Sequence, residues 1–229
     1  MIFMENPWLN PRPSEGSYIL DMDRKAIDRY NDSARDPEAR VIVESIPEPF
    51  IGNPESARVV LLGLNPGHSK DDEKWHRNVE FQKAMFHNLS HESQEYPFYP
   101  LNPAFKETGA GRWWHPRTRQ LQEESGLDDP TFAKRLLVIE WLPYHSKRFA
   151  RPKKVNHVCE SQEYSFQLAK ELEKKLLVVR MRAKKQWAEV DQQFGKVPFL
   201  KNPQCGYVSR GNTEGDVFGQ IMTAIKGNT

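Results

Sequence analysis

The chain has 229 residues, 28% of them charged, with a formal net charge of +2, and its hydrophobic fraction of 38% suits one domain with a sizeable core. No apolar run approaches the ~18 residues that cross a bilayer, and the N-terminus lacks the basic-then-apolar order of a secretory signal. Two cysteines, Cys159 and Cys205, make neither a disulfide framework nor a four-cysteine zinc or iron–sulfur site. We therefore expect a cytoplasmic protein with no membrane contact and no metal cluster.

Apolar runs and helical patterns alternate along the chain. Residues 1–50 are rich in proline and charge and contain one helical stretch, at 21–30; we interpret them as an appendage packed on a core at 51–229, so that 1–229 form one domain. Continuous apolar runs predict buried strands at 58–64, 136–142, 176–181 and 197–201. Helices are predicted at 74–88, 116–124, 161–175, 182–194 and 215–226. The proline-rich segment 96–105 is expected to be an ordered aromatic loop.

Strands that alternate with helices predict an α/β protein, here a three-layer α/β/α domain with a four-stranded parallel sheet. Ligands of such sheets bind at the carboxyl ends of the strands. The first of these ends is the loop Gly63-Leu64-Asn65-Pro66-Gly67-His68. Because proline fixes φ and glycine permits positive φ, this loop can turn sharply and present backbone amides to a ligand. A tight turn without a ligand is the alternative interpretation.

Two other groups of residues are candidates for ligand contact. Aromatic side chains that offer flat surfaces for a base or a sugar, with core packing as the alternative, are Tyr96, Phe98, Tyr99, Phe105, Trp113 and Trp114. A basic cluster follows the second strand and would lie on the rim of the site, in contact with phosphate or simply solvated. No P-loop, Gly-x-Gly-x-x-Gly or Gly-x-Ser-x-Gly motif occurs, which counts against nucleoside triphosphatases, dinucleotide enzymes and α/β-hydrolases. We expect no cofactor and no metal.

Three short segments resemble the uracil-DNA glycosylase superfamily. VVLLGLNPG at 59–67 is similar to the first motif of its mismatch-specific and single-strand-selective branches, which reads Gly-x-Asn-Pro-Gly. LVIEWLPY at 137–144 resembles the second strand of that fold, and LKNPQ at 200–204 is similar to its last motif, His-Pro-Ser or Asn-Pro-Ser. The order and the strand placement of the three segments agree with the predicted sheet. The likeness covers residues 50–226 as architecture, but only these short segments as motif.

The resemblance implies a base-excising N-glycosylase that acts on a flipped uracil or other altered base in DNA. In this interpretation Asn65 positions the attacking water, and Asn202 stabilises charge on the departing base. The base-binding residues it implies are Gly63, Leu64, Pro66, Gly67, Phe98, Tyr99, Glu140 and Gln204. The expected phosphate contacts are Lys147, Arg148, Arg151, Lys153, Ser209 and Arg210.

Two features depart from the family pattern. Glu140 stands where uracil-reading branches often have an asparagine, and an ionised carboxylate only accepts hydrogen bonds, so it suits a donor-rich base edge better than uracil. The last motif continues as CGYVSR, without the usual wedge residue. The second interpretation is therefore a catalytically silent nucleic-acid- or nucleotide-binding protein on the same scaffold. The sequence leaves open the substrate base, the strandedness of the DNA and the oligomeric state.

Overall fold

The computed structural model describes residues 5–9, 16–150 and 157–227. A four-stranded sheet forms within them, with the order β1-β3-β2-β4. Its strands are β1 (Phe50–Ile51), β2 (Val59–Leu62), β3 (Leu136–Ile139) and β4 (Leu177–Arg180). Strand β2 pairs in parallel with both β3 and β4, whereas β1 runs antiparallel to β3. The protein is therefore an α/β protein with a mixed sheet.

Eight α-helices lie in the described part of the chain. They are α1 (Arg24–Ser33), α2 (Asp72–Trp75), α3 (Val79–Leu89), α4 (Gly109–Ser125), α5 (Asp129–Arg135), α6 (Gln162–Glu173), α7 (Lys184–Val190) and α8 (Val217–Lys226). Helices α6 and α8 contact β2 and β4, and α3 contacts β1. Within the ranges that the structure describes, none of the helices is long and apolar enough to span a membrane.

The three parallel strands bring three loops to one edge of the sheet. All residues of β2 and β3 are buried, as expected for apolar strands that are covered on both faces. In the pairing register, Leu62 at the end of β2 lies level with Ile139 of β3 and Arg180 of β4. The loops that follow these three strands therefore start side by side, and this edge is where the sequence predicted a ligand site.

The prediction of an all-parallel sheet was wrong in its fourth strand. Residues 197–201 form only isolated bridges, Arg180 with Phe199 and Leu200 with Thr213. Pro198 lies in this segment, and because proline has no N–H it interrupts a ladder of hydrogen bonds. The fourth strand is instead the two-residue β1 at the opposite edge.

Strand β1 ends at a glycine that no other residue could replace without strain. Gly52 has φ of 116°, and a Cβ there would lie 2.3 Å from the carbonyl oxygen of Leu136. Its N–H donates to Oδ1 of Asn88 at 2.8 Å instead of extending the ladder. The Asn88 Nδ2 in turn donates to the carbonyl of Phe50 at 2.7 Å. One buried side chain of α3 thus holds both ends of the short strand.

Two of the predicted helices differ from the structure in where a helix begins. The stretch 74–88 is interrupted, because Asn78 accepts a hydrogen bond from the N–H of Phe81 at 3.0 Å and begins α3 anew. Helix α4 begins at Gly109 rather than at Pro116, with Thr108 capping the N–H of Gly111 at 2.8 Å. Pro116 therefore lies inside the helix.

The segment before β1 packs closely on the loop that follows β3. Asp23 is fully buried and accepts hydrogen bonds from the hydroxyl of Tyr144 at 2.6 Å and from the N–H of Ser161 at 3.0 Å. The N–H of Ile42 donates to the carbonyl of His145 at 2.9 Å. The segment that these contacts hold in place also contains Glu48, which lines the cleft described below.

Candidate functional site

A cleft of about 620 Å³ lies at the carboxyl ends of the three parallel strands. Its walls come from the loops after β2, β3 and β4 and from the first turns of α4. Ligand sites of proteins typically have volumes of roughly 300–1,000 Å³, so the cleft can hold a group as large as a nucleotide. The position agrees with the rule that places ligands beyond the carboxyl ends of parallel strands.

The loop after β2 is fixed from three sides. The N–H of Gly63 donates to the carbonyl of Ile139 at 2.9 Å, and the indole N–H of Trp187 donates to the carbonyl of Gly63 at 2.6 Å. The N–H of Leu142 donates to the carbonyl of Leu64 at 2.8 Å. A loop held by its own neighbours in the sheet presents its side chains in one orientation, which a binding site requires.

Two hydrogen bonds that its Nδ2 donates fix the orientation of the Asn65 side chain. Its Nδ2 donates to Oγ of Ser146 at 2.9 Å and to the carbonyl of Pro66 at 3.0 Å. Both donor hydrogens are thus engaged, and within the described chain Oδ1 accepts no hydrogen bond. The side chain therefore offers a fixed acceptor at the cleft.

Glu140 forms part of the buried wall of the cleft and is 7% exposed. Its Oε2 finds no hydrogen-bond partner among the residues that the structure describes. A Cβ on Gly63 would lie 2.1 Å from this oxygen, so the absence of a side chain at Gly63 makes room for the carboxyl group. Burial raises the pKa of Glu140 from 4.5 to about 7, against the charge of Arg182 and a hydrogen bond with the Leu64 backbone, which favour the carboxylate. Both protonation states are therefore accessible near neutral pH.

A second buried carboxyl group, that of Glu48, also lines the cleft. It accepts a hydrogen bond from the hydroxyl of Tyr99, and its Oε2 lies 3.7 Å from Nε2 of His145. Burial, together with the negative charges of Asp72 and Glu140, raises the pKa of Glu48 well above its ordinary value. The carboxyl group of Glu48 therefore keeps its proton to a higher pH than an exposed glutamate does.

Two histidines hold the backbone at Ile46. Nδ1 of His76 accepts from the N–H of Ile46 at 3.0 Å, and burial lowers the pKa of His76 to about 2, so this ring is neutral. Nε2 of His145 lies 2.9 Å from the carbonyl of Ile46, and its Nδ1 lies 2.7 Å from the carbonyl of Gly67. His145 thus connects the segment before β1 to the loop after β2.

Asp72 fixes the far end of that loop. It accepts from the N–H and from the hydroxyl of Ser69, each at 2.6 Å. Although acids and histidines gather here, no group of three or more that could hold a metal ion occurs within residues 5–9, 16–150 and 157–227. The hydrogen bonds of His76, His145 and Asp72 indicate instead that these side chains fix the shape of the loop.

The structure brings the first two motifs together and leaves the third outside the cleft. The predicted residues that line the cleft are Gly63, Leu64, Asn65, Pro66, Gly67, Glu140, Lys147 and Arg148. Asn202 and Gln204 lie on an exposed loop, where Oδ1 of Asn202 accepts from the N–H of Gln204 at 3.0 Å. Arg182 connects this loop to the cleft, by donating from Nε and Nη2 to the carbonyls of Pro203 and Gln204, both at 2.7 Å.

The two aromatic residues expected to stack on a base lie in the core. Phe98 is fully buried and packs edge-on against Trp114, with ring centroids 5.1 Å apart. Tyr99 is 1% exposed, and its hydroxyl donates a hydrogen bond to Glu48. The aromatic side chains that do line the cleft include Trp113 and Phe149. Core packing, the alternative interpretation, describes Phe98 and Tyr99.

The predicted phosphate contacts divide into several groups. Lys147 and Arg148 lie exposed on the rim, but Arg148 already pairs with Glu38 at 2.9 Å and with Asp36 at 3.5 Å. Arg210 pairs with Glu124 at 2.5 Å, and neither it nor Ser209 lines the cleft. Arg151 and Lys153 lie outside the described residues.

Several residues of the site were absent from the sequence-based prediction. They are Glu48, Asp72, His76, His145, Ser146 and Arg182. His145 and Ser146 directly follow the second motif, and this position is the one sequence signal that could have identified them. Arg182 directly follows the predicted strand 176–181, and this position is a second such signal. Glu48, Asp72 and His76 come from segments whose local pattern carries no sign of the cleft.

Comparisons with protein-family models, with characterised proteins and with solved structures found no match. The class of protein is therefore defined by the geometry. The chain is an α/β protein with a cleft at the carboxyl ends of three parallel strands, and a buried carboxyl group lies in the wall of that cleft.

Proposed function

We propose that this chain is a base-excising N-glycosylase of the uracil-DNA glycosylase kind, which cleaves the N-glycosidic bond of a flipped uracil or other altered base in DNA. The observation that carries the proposal is the convergence of Asn65 and Glu140 on one cleft, at the ends of the parallel strands β2 and β3. In this proposal the fold is a variant of the three-layer α/β/α arrangement of that superfamily, with the antiparallel β1 at one edge.

In this mechanism Asn65 positions the attacking water. Because its Nδ2 is held by Ser146, the orientation of Oδ1 is fixed, and Oδ1 accepts a hydrogen bond from the water. Because an amide does not titrate, Asn65 orients the water rather than removing its proton. The water oxygen bonds to C1′, the electron pair of the C1′–N bond leaves with the base, and the proton of the water passes to solvent.

Glu140 reads the edge of the flipped base. In its neutral form the carboxyl group both donates and accepts, which matches the adjacent N–H and C=O of a lactam such as that of uracil or hypoxanthine. In its ionised form it only accepts. With the pKa of Glu140 near 7, the neutral form is present below that pH and is lost above it. Excision of a lactam base should therefore decline as the pH rises through about 7.

A second candidate function is a catalytically silent binding protein on the same scaffold. It is favoured by the position of Asn202, whose Oδ1 accepts from the N–H groups of Gln204 and Cys205 within its own loop. No side chain of the last motif then reaches the departing base to stabilise its charge. This candidate predicts binding of nucleic acid without release of a base.

The test is the effect of Asn65→Ala on single-turnover excision and on DNA affinity. A residue that positions water acts in the transition state, so the rate should fall by orders of magnitude while affinity stays nearly intact. Asn202→Ala is the matched control, since it removes the same side chain from an exposed loop and should keep the rate within a few-fold. Equal rates for wild type and Asn65→Ala would remove Asn65 from this role.

Glu140→Gln tests the base-reading role separately. Glutamine carries a donor and an acceptor at every pH, so the variant should excise a lactam base with no decline through pH 7, where wild type loses its neutral acid. A parallel decline in both proteins would assign the pH dependence to another group.

A further inference from the structure

Two arginines beside the cleft contact the same indole ring. The guanidinium carbon of Arg117, on α4, lies 3.2 Å from the ring centroid of Trp113. The guanidinium carbon of Arg182, just after β4, lies 5.1 Å from the same centroid. Across the described part of the chain, neither guanidinium lies within ion-pair distance of a carboxylate. This arrangement differs from that of Arg148 and Arg210, whose charges are already paired.

The two guanidinium groups are incompletely satisfied. Arg117 donates from Nη1 to the carbonyl of Trp113 at 2.8 Å, but its Nε is buried and has no partner among the described residues. Arg182 donates from Nε and Nη2 to the loop at Pro203 and Gln204. Two like charges held close together repel each other, and an anion that binds both relieves that repulsion.

The pair lies on a path that runs from the cleft to the protein surface. Trp113 and Arg182 line the cleft itself. Beyond Arg117, the ring of Tyr207 lies 5.3 Å from the Arg117 guanidinium and is 41% exposed. A Cβ on Gly206 would lie 3.2 Å from Trp113 and 3.4 Å from Nε of Arg117, so the loop packs tightly against the pair. Cations and aromatic rings thus alternate from the cleft outwards.

We propose that Arg117 and Arg182 form a phosphate-binding pair for a nucleic-acid strand that enters the cleft along α4. Guanidinium groups bind phosphate through paired hydrogen bonds, and aromatic faces such as that of Tyr207 stack on bases without regard to sequence. The inference deepens the proposed function, whose nucleic-acid partner it shares, but it concerns binding and does not require excision.

The test is the salt dependence of single-stranded DNA binding. Each phosphate contact with a single strand contributes a log–log slope of about −0.7, so Arg117→Gln/Arg182→Gln should flatten the slope by about 1.4. Arg119→Gln is the matched control, because Arg119 lies on the same helix, is exposed, and pairs with Glu123 at 3.8 Å. The control variant should keep the wild-type slope.

Further variants separate charge from folding. Arg117→Lys/Arg182→Lys keeps both charges and should retain the wild-type slope. If the glutamine double variant does not fold, Arg117→Gln alone preserves both hydrogen bonds of Arg182 to the loop and should flatten the slope by about 0.7. Tyr207→Ala should weaken binding by about tenfold and leave the slope unchanged, because stacking carries no charge.

The outcomes distinguish this inference from the proposed glycosylase activity. A wild-type slope in the folded glutamine variant, or a wild-type protein that binds no oligonucleotide, overturns the phosphate-binding pair. A flattened slope in a protein that releases no base supports the pair and rejects the glycosylase. Base excision by wild type together with unchanged slopes in the glutamine variants rejects the pair and supports the glycosylase.

Discussion

Replacing Glu140 by glutamine should change how stability depends on pH. Burial raises the pKa of Glu140 from 4.5 to about 7, so the folded protein holds this proton to a higher pH than the unfolded chain. The free energy of unfolding therefore decreases as the pH rises from about 4.5 to about 7, and the decrease is complete above pH 7. At 1.36 kcal/mol for each pKa unit, the ionised group costs the folded state roughly 3 kcal/mol. Glutamine does not titrate, so this loss should be absent from the variant.

The assay is urea unfolding of wild type and Glu140→Gln from about pH 4.5 to about pH 8. The difference in unfolding free energy between them should grow by roughly 3 kcal/mol in favour of the variant across this range. Glu55→Gln is the control, since Glu55 is exposed and its variant should give a difference that does not change with pH. A pH-independent difference for Glu140→Gln as well would refute the assignment of a raised pKa to this carboxyl group.

Two further predictions concern the residues that shape the site and the sheet edge. Gly63→Ala places a Cβ 2.1 Å from Oε2 of Glu140, so it should lower the free energy of unfolding in urea by about 1–3 kcal/mol. Gly67→Ala is the control and should be nearly neutral, because no atom lies within 4 Å of its Cβ. Equal effects of the two substitutions would contradict the packing argument. Asn88→Ala leaves the two buried backbone groups that flank β1 without partners and should cost roughly 2–4 kcal/mol, so a loss below 1 kcal/mol would show that β1 does not depend on it.

The sequence predicted the parallel strands because their signal is local. β2, β3 and β4 each lie within an apolar run, and such a run identifies a buried strand without reference to the rest of the chain. Strand β1 has only two residues, too few for a pattern, and it exists because Asn88 of a distant helix binds both of its ends. The segment 197–201 is apolar, but it contains Pro198 and forms only the isolated bridges at Phe199 and Leu200. Its apolar composition therefore did not determine strand pairing.

The candidate site likewise contains residues that the sequence could place and residues that it could not. Asn65 could be placed at the cleft edge of the sheet because strand ends in a parallel sheet meet there. Glu140 lay inside the predicted strand 136–142, and only the resemblance to the glycosylase superfamily assigned it to the site. Glu48 could not be placed, since it reaches the cleft from a segment that precedes β1 and carries no strand pattern. Tyr99 was expected at the surface of the site, but an aromatic residue in a proline-rich loop does not reveal which side faces the core.

The central claim is base excision, and the most direct measurement is a panel of oligonucleotides scored for abasic sites. The panel holds uracil, hypoxanthine, xanthine and mismatched bases in single-stranded and duplex DNA. The account predicts abasic sites in at least one substrate with wild type and their near-complete loss with Asn65→Ala. Folded wild-type protein that binds these oligonucleotides and leaves every one of them intact would contradict it, and the silent binding protein would then be the better account.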